Sequence, residues 1–129
     1  MNKTIVRRLY EEVINARRFE LAADLVAPDY EGPAGDRGID GFVANLRGLV
    51  QGFPDIRFTI EDLVAEGDRV VARWRWEATH AGQFRTYAAT GKHVTNSGIA
   101  IYQLRDGRVA RAWLETDRLG ALQQIGAIA

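Results

Sequence analysis

Residues 68–80, DRVVARWRWEATH, decide the fold. From Val70 to His80, the residue at every second position is apolar or aromatic, while the charged residues Arg73, Arg75 and Glu77 lie between them. The apolar or aromatic residues are Val70, Ala72, Trp74, Trp76, Ala78 and His80. Because successive side chains of a strand point to opposite faces of a sheet, this alternation predicts a long strand with one buried face.

The same period of two continues on both sides of this segment. Further strands are predicted at 56–61, at about 93–104 and at about 108–116. Glu66-Gly67-Asp68 and Asp106-Gly107 are the turns that separate them, and the second is a strong hairpin signal. Long antiparallel strands joined in this way tend to twist and curl.

The first part of the chain has helical spacing instead, with Ile5, Leu9 and Val13 four residues apart. Other helices are predicted at about 19–26 (stopped by Pro28), from Ile39 or Asp40 to Gly52, and at 118–125. The stretch 28–38, rich in glycine and proline, is predicted to be a loop or a short edge strand. This order predicts one α+β domain over residues 1–129, with helices wrapping a curved sheet around an apolar pocket.

The composition restricts the function. Lys plus Arg and Asp plus Glu both number 17, so the net charge is zero and gives no reason to expect nucleic acid or an anionic membrane as partner. The absence of cysteine excludes disulfides and thiolate chemistry and fits a cytoplasmic protein. Signal-peptide and membrane-span patterns are missing, as are the common metal, phosphate-loop and serine-hydrolase motifs.

Asp117 is the first candidate for catalysis. It follows the last predicted strand with the parity of Val109 and Trp113, on a face predicted to point inward. A carboxylate placed there would be desolvated, which would raise its pKa toward the range that suits a general acid or base. Alternatively, Asp117 caps the last helix, a position for which Asp is preferred, and the two roles are compatible.

His80 is the second candidate, because it shares the predicted inner face of Trp74 and Trp76. An imidazole there could relay a proton or bind a substrate oxygen, although a lone histidine is more often a satisfied core residue. His93 stands close to the turn at Gly91 and is predicted to be exposed.

Five aromatic residues are candidates for substrate binding. Trp74, Trp76 and Trp113 would supply flat walls for a polycyclic ligand, and Tyr10 and Tyr102 would supply phenol donors. The alternative for Trp74 and Trp76 is that they simply fill the core. For Tyr10 and Tyr102, the alternative is a packed ring with its hydroxyl at the surface.

The chain resembles the SnoaL-like polyketide cyclase and ester cyclase family, which has the nuclear transport factor 2-like cone fold. The stretches that carry the resemblance are LYEEVINARRFELAADLVAPDY (9–30), LVQGFPDIRFTIEDLVAEGDRVVARWRWEATHAGQF (49–84), ATGKHV (89–94) and DGRVARAWLETDRLGALQQIGAI (106–128). The resemblance implies a small α+β barrel-like cone, a homodimer or higher homo-oligomer, and no cofactor.

The resemblance also implies roles for two residues. Asp117 matches the aspartate that acts as general acid/base in an intramolecular aldol ring closure of a polyketide-like substrate, and His80 matches a histidine that lines the pocket. There are two departures. Ala112 stands where many relatives carry His, so no second histidine is expected beside Asp117, and FRTYAATG (84–91) indicates an altered pocket mouth.

Two other functions remain open. An epoxide hydrolase or isomerase on the same fold would need two carboxylates joined by an arginine, and Asp117, Glu115 and Arg111 share strand parity. A non-catalytic ligand-binding or interaction domain is the second alternative, because a fold does not fix a function. A pocket filled by Trp74 and Trp76 would favour it.

Overall fold

A computed structural model describes residues 1–128. The strands are β1 Val26–Glu31, β2 Arg57–Glu66, β3 Arg69–Thr79, β4 His93–Arg105 and β5 Arg108–Thr116. They form one sheet in the order β1-β5-β4-β3-β2, antiparallel from β2 to β5, with β1 parallel to β5. The four strands predicted from alternation are therefore confirmed.

Helices cover the inner face of this sheet. They are α1 Asn2–Arg8, continued by a π-helix over Leu9–Asn15, a 3₁₀ turn Phe19–Leu21 leading into α2 Ala22–Leu25, α3 Gly38–Gly52, and α4 Arg118–Gln124. The α+β class is confirmed. None of the helices formed by residues 1–128 has both the length and the apolar character to cross a membrane.

β1 explains the glycine- and proline-rich stretch after Leu25. The strand begins at Val26, so the predicted second helix ends sooner than expected, and Pro28 lies inside the strand. Proline lacks a backbone donor and is tolerated because β1 lies at the edge of the sheet. The prediction of a short edge strand is thus confirmed for the first part of the stretch.

The core lies between the helices and the inner face of the sheet. Val70, Ala72, Trp74, Trp76, Ala78 and His80 are all at most 6% exposed, as the alternation of residues 68–80 predicts. Ile5, Val6, Leu9, Tyr10 and Val13 cover them from α1 and the π-helix. The long central strand therefore positions the candidate aromatic and histidine side chains together.

A β-bulge at Ala110 reverses the parity of β5. Gln103 of β4 pairs with Arg111 and Leu104 pairs with Val109, so Ala110 is an extra residue in β5. Beyond the bulge, the inward positions are Ala112, Leu114 and Thr116, whose partners on β4 lie on its inner face. The prediction that Trp113, Glu115 and Asp117 share the inward parity of Val109 is therefore wrong.

The π-helix is fixed to the start of β2 by two side chains. Asn15 donates from Nδ2 to the carbonyl of Phe58 (2.9 Å) and accepts from its N–H (2.8 Å). Arg17 has a left-handed backbone (φ 59°), and its guanidinium donates to the carbonyls of Ile14 (2.6 Å) and Ile56 (2.7 Å), among others. These bonds occupy backbone groups at the end of the helix and at an edge strand, which would otherwise need water.

Candidate active site

Trp74 and Trp76 point into the core, as predicted, and both are nearly inaccessible to solvent, at 4% and 6% exposed. The ring of Trp74 meets Phe58 edge-on with 4.9 Å between centroids, and the ring of Trp76 is 5.2 Å from Phe53. In the structure the two indoles fill the core, which is the packing alternative.

Gly98 gives the ring of Trp74 its position. The two residues are opposite each other on β4 and β3, and the indole lies across the strand where Gly98 has no side chain. A Cβ at Gly98 would stand 2.6 Å from Cη2 of Trp74 and 2.8 Å from the carbonyl oxygen of Glu115. Both distances are too short for real contacts, so the glycine is required by the close approach of the ring.

Replacing Gly98 by Ala is therefore expected to lower the free energy of unfolding by about 1–3 kcal/mol, the usual effect of overpacking. Gly48→Ala is the matched control, because a Cβ at Gly48 meets nothing within 4 Å and alanine favours the helix by up to about 1 kcal/mol. Urea unfolding of both variants measures the difference. Equal stabilities would mean that Trp74 does not lie against β4.

Tyr10 and Tyr102 also meet in the interior, as predicted. Tyr10 comes from the π-helix and Tyr102 from β4, and their hydroxyls are hydrogen-bonded to each other. Their rings pack edge to face at 6.1 Å, and both are buried. Burial raises the pKa of both phenols, because the phenolate would lose its hydration. Both are therefore neutral hydrogen-bond donors over the physiological range.

Tyr30 is a third buried phenol, which the sequence pattern did not predict. It lies on β1 and is 2% exposed, with its ring 5.5 Å from that of Phe42 on α3. Burial, and secondarily the negative charge of Asp36, raises its pKa. Its burial could not be predicted, because the stretch around Tyr30, two residues after Pro28, shows no clear alternation of apolar and polar residues.

His80 is fully buried at the end of β3, as predicted from its parity. Its Nδ1 is 3.0 Å from the hydroxyl of Thr90, while Nε2 is buried with no hydrogen-bond partner in residues 1–128. The ring of Phe53 lies 5.3 Å away, so the free nitrogen is in aromatic surroundings. His80 therefore has one fixed and one unused ring nitrogen. His93 is exposed, which confirms that prediction.

Asp117 lies elsewhere. Its side chain is exposed, and its Oδ1 accepts a hydrogen bond from the N–H of Gly120 (2.8 Å), which makes it the N-cap of α4. The predicted capping role is confirmed, and the predicted desolvation is wrong because of the bulge at Ala110. The cap leaves the rest of the carboxylate free of hydrogen bonds within residues 1–128.

Trp113 is on the outer face of the sheet, so it does not line the interior as predicted. The guanidinium groups of Arg69 and Arg111 lie over its ring, 4.9 and 4.7 Å from the centroid. Such cation–π contacts stabilise the half-buried ring of Trp113 on this face. Arg111, Glu115 and Asp117 are all exposed, so the structure gives no enclosed acid–arginine–base arrangement of the kind an epoxide hydrolase would need.

Asp117 and His80 are far apart along the sheet. The N–H of Asp117 donates to the carbonyl of Ser97, and that of His80 donates to the carbonyl of Lys92. Five residues along an extended strand correspond to about 16 Å. The structure therefore does not bring the two predicted catalytic residues together for a direct exchange of a proton.

A surface cleft of about 780 Å³ lies between the segment after the π-helix and α3. It is lined by Arg17, Phe19, Glu20, Ala23, Ile39, Asp40, Val43, Ala44 and Arg47. Another cleft, of about 310 Å³, lies over β1, β4 and β5. Neither is lined by the tryptophans or tyrosines of the interior, so an interior ligand would have to open the packed core.

A curved sheet of five strands, antiparallel from β2 to β5 and covered by helices that enclose aromatic rings, defines a protein of the nuclear transport factor 2-like cone fold. The chain matches the family model described as SnoaL-like polyketide cyclase over residues 4–125. It belongs to the SnoaL-like polyketide cyclase family, and the resemblance seen in the sequence is confirmed.

Solved structures agree with this assignment. TsrD from Streptomyces laurentii is 32% identical, with a TM-score of 0.87 and 97% of each chain covered. A protein of Acidithiobacillus ferrooxidans, provisionally assigned as a polyketide cyclase, is 34% identical (TM-score 0.85; 99% of this chain and 96% of that one). IdmH from Streptomyces antibioticus, also provisionally assigned as a polyketide cyclase, is 28% identical (TM-score 0.85; 98% and 99%). No curated protein matches the chain.

Proposed function

We propose that this protein catalyses ring closure of a polyketide-like substrate, by an intramolecular aldol reaction that needs acid/base catalysis and no cofactor. The observation that carries the proposal is the match to the cyclase family over residues 4–125. This range contains Asp117, to which the resemblance seen in the sequence assigns the role of general acid/base. The geometry supports it, because one carboxylate oxygen accepts from the N–H of Gly120 and the other accepts no hydrogen bond from residues 1–128.

In the proposed reaction, the carboxylate of Asp117 removes a proton from a carbon between two carbonyl groups. The resulting enolate carbon attacks a second carbonyl carbon of the same molecule, forming the C–C bond and leaving an alkoxide. Protonated Asp117 then returns its proton to the alkoxide oxygen. Because His80 is about 16 Å away along β4, Asp117 performs both transfers. Holding one folded conformer of the substrate supplies much of the acceleration.

The ligand class follows from this chemistry. A polycyclic carbonyl compound would place flat rings against Trp74 and Trp76 once the core opens. We place the reaction in the cytoplasm, since a chain without cysteine loses nothing in a reducing compartment. The experiment incubates the protein with a polycyclic quinone that carries a 1,3-dicarbonyl side chain and follows the cyclised product by chromatography. Absence of product over a panel of such compounds, with the fold intact by circular dichroism, would count against the proposal.

A non-catalytic ligand-binding or interaction domain is the second candidate, and the packed interior favours it. Trp74, Trp76, Tyr10 and Tyr102 are all at most 7% exposed. Titration with the same polycyclic carbonyl compounds, followed by tryptophan fluorescence, separates the two. Saturable quenching without product would support the binding domain, and quenching with product would support the cyclase.

We also propose that the protein is a homodimer formed through the outer face of the sheet. Four apolar residues lie in one row across that face, each paired with the next: Val64, Val71, Ile101 and Trp113. The adjacent row runs from Glu66 on β2 to Arg111 on β5. A second copy, turned about a two-fold axis perpendicular to the rows, would set Val64 against Trp113 and Glu66 against Arg111. The surface is then complementary to itself, as a two-fold interface requires.

Replacing Ile101 by Glu in the middle of this row is expected to convert the dimer into a monomer, because it would bury two unpaired carboxylates in the interface. Size-exclusion chromatography with light scattering measures the mass. Leu119→Glu is the control, since Leu119 is 56% exposed on α4 and outside the row. A wild-type protein that runs as a monomer would exclude the interface.

A further inference from the structure

The cleft beside α3 has no part in the reaction proposed above, and its floor is apolar. Phe19 of the 3₁₀ turn and Ile39 and Val43 of α3 are half-buried. They pack against the core on one side and line the cleft on the other. The cleft volume of about 780 Å³ lies within the range of small-molecule sites, about 300–1,000 Å³. Its size and its apolar floor therefore suit an organic ligand.

Arg47 lines the same cleft and has no anionic partner. Its Cζ lies 4.8 Å from the centre of the Phe19 ring, and its guanidinium forms no hydrogen bond or ion pair within residues 1–128. The cation–π contact holds the group in place. A guanidinium stacked on a ring still presents N–H groups at its edge, where a carboxylate can accept through both oxygens.

Arg17 adds a second positive charge at the C-terminal end of α3. Its guanidinium donates to four backbone carbonyls, and one of them belongs to Pro54, two residues after α3 ends. The four are those of Ile14, Asn15, Pro54 and Ile56. Burial lowers the pKa of Arg17, although an arginine stays protonated. Because carbonyls are neutral and Arg17 forms no ion pair within the described residues, its charge remains uncompensated.

The two acidic residues of the cleft lie differently. The carboxylate of Glu20 is 3.7 Å from the guanidinium of Arg18 and is thus already paired. Asp40 lies in the first turn of α3, seven residues before Arg47, which corresponds to about 10 Å along the helix axis. It has no hydrogen bond or ion pair within residues 1–128. The cleft is therefore positive at one end, apolar in the middle and negative at the other end.

We infer that this cleft is a binding site for a planar aromatic carboxylic acid that carries a hydroxyl group at its far end. The carboxylate binds the free guanidinium of Arg47 in the field of Arg17, the rings lie on Phe19 and Val43, and the hydroxyl donates to Asp40. Nine residues line the cleft, fewer than the 20–30 a side of a typical protein interface, which favours a small molecule. The site only binds, and it is independent of the proposed cyclase reaction.

The test uses 6-hydroxy-2-naphthoate, which has its carboxylate and its hydroxyl at opposite ends of a flat ring system. Isothermal titration calorimetry at neutral pH measures its dissociation constant. Arg47→Gln is expected to raise this constant about tenfold or more, the value of a hydrogen bond to a charged group, and Arg47→Lys less, because it keeps the charge. Ala44→Trp, which places a large ring in the cleft, is expected to abolish binding. Arg108→Gln, an exposed arginine outside the cleft, is the control and leaves the constant unchanged.

A neutral probe, 6-hydroxy-2-naphthamide, separates recognition of the charge from simple apolar binding. The wild-type protein is expected to bind it about tenfold more weakly than the acid, and Arg47→Gln is expected to bind both equally. Equal affinity of the wild type for the two probes would overturn the inference. Binding of the acid that survives in Ala44→Trp would place the probe outside the cleft and would overturn it too, as would a folded wild-type protein without saturable binding.

Discussion

Asp117→Asn is expected to lower kcat for ring closure by about 10²–10⁴-fold, the usual contribution of a positioned general acid or base. Asparagine keeps the oxygen that accepts from the N–H of Gly120, and it caps helices about as well as aspartate. What it lacks is the basic oxygen that takes the proton. The variant therefore separates the two roles of Asp117, and the thermal unfolding midpoint should stay close to that of the wild type.

The matched control is Asp106→Asn. Asp106 has a left-handed backbone (φ 54°) in the turn between β4 and β5, a conformation that asparagine also adopts readily. The substitution Asp106→Asn removes the same charge as Asp117→Asn. A kcat that falls equally in both variants would therefore reflect the change in net charge and not the loss of a catalytic base. Retention of the wild-type kcat in Asp117→Asn would remove Asp117 from the mechanism.

Alkaline pH is expected to unfold the protein through its three buried phenols. Burial raises the pKa of Tyr10, Tyr30 and Tyr102 above the usual value of about 10. Above that pH the unfolded chain loses phenol protons that the folded chain keeps, so the unfolded state binds fewer protons and the free energy of unfolding falls as pH rises. Each phenol contributes about 1.4 kcal/mol per pH unit, which gives about 4 kcal/mol per unit for the three.

Proteins of this kind have a free energy of unfolding of about 5–15 kcal/mol. A loss of about 4 kcal/mol per pH unit would cancel this stability within about one to four pH units above pH 10. The chain is well suited to the measurement, because only Lys3 and Lys92 among its 17 cationic side chains are lysines, and arginine keeps its charge at this pH. Far-ultraviolet circular dichroism and tyrosinate absorbance should change together. Tyr30→Phe should reduce the slope of stability against pH by about a third. Early ionisation of all three phenols without loss of helix signal would show that they are accessible.

Most of the fold could be predicted because it depends on local periodicity. The inner face of β3 follows from a simple alternation of residues. The pairing of β2 with β3 and of β4 with β5 follows from the turns at Gly67 and Gly107. The bulge at Ala110 could not be predicted, since RVARAWLET alternates without glycine or any other interruption, and the extra residue is revealed only by pairing with β4. The contact of Arg69 with Trp113 is equally non-local, because it joins two strands that are not adjacent.

The same distinction applies to the candidate site. His80 and the pair Tyr10 and Tyr102 could be placed in the interior from parity and helical spacing, but the π-helix could not, because Leu9 and Val13 keep an ordinary helical interval. The capping role of Asp117 followed from its place before a helix. Its exposure did not, because one residue inserted seven positions earlier decides which way the end of the strand faces.

Because Ala110 is an extra residue, the side chains that β5 presents to the interior depend on the number of residues in the strand as much as on their identities. A deletion of Ala110 would restore an uninterrupted alternation, turning Ala112 and Leu114 toward solvent and Trp113 into the core. The large ring of Trp113 would then replace the small side chain of Ala112 beside Tyr102, without a single substitution. Insertions and deletions in this strand are therefore a direct route by which cones of this family can exchange one cavity wall for another.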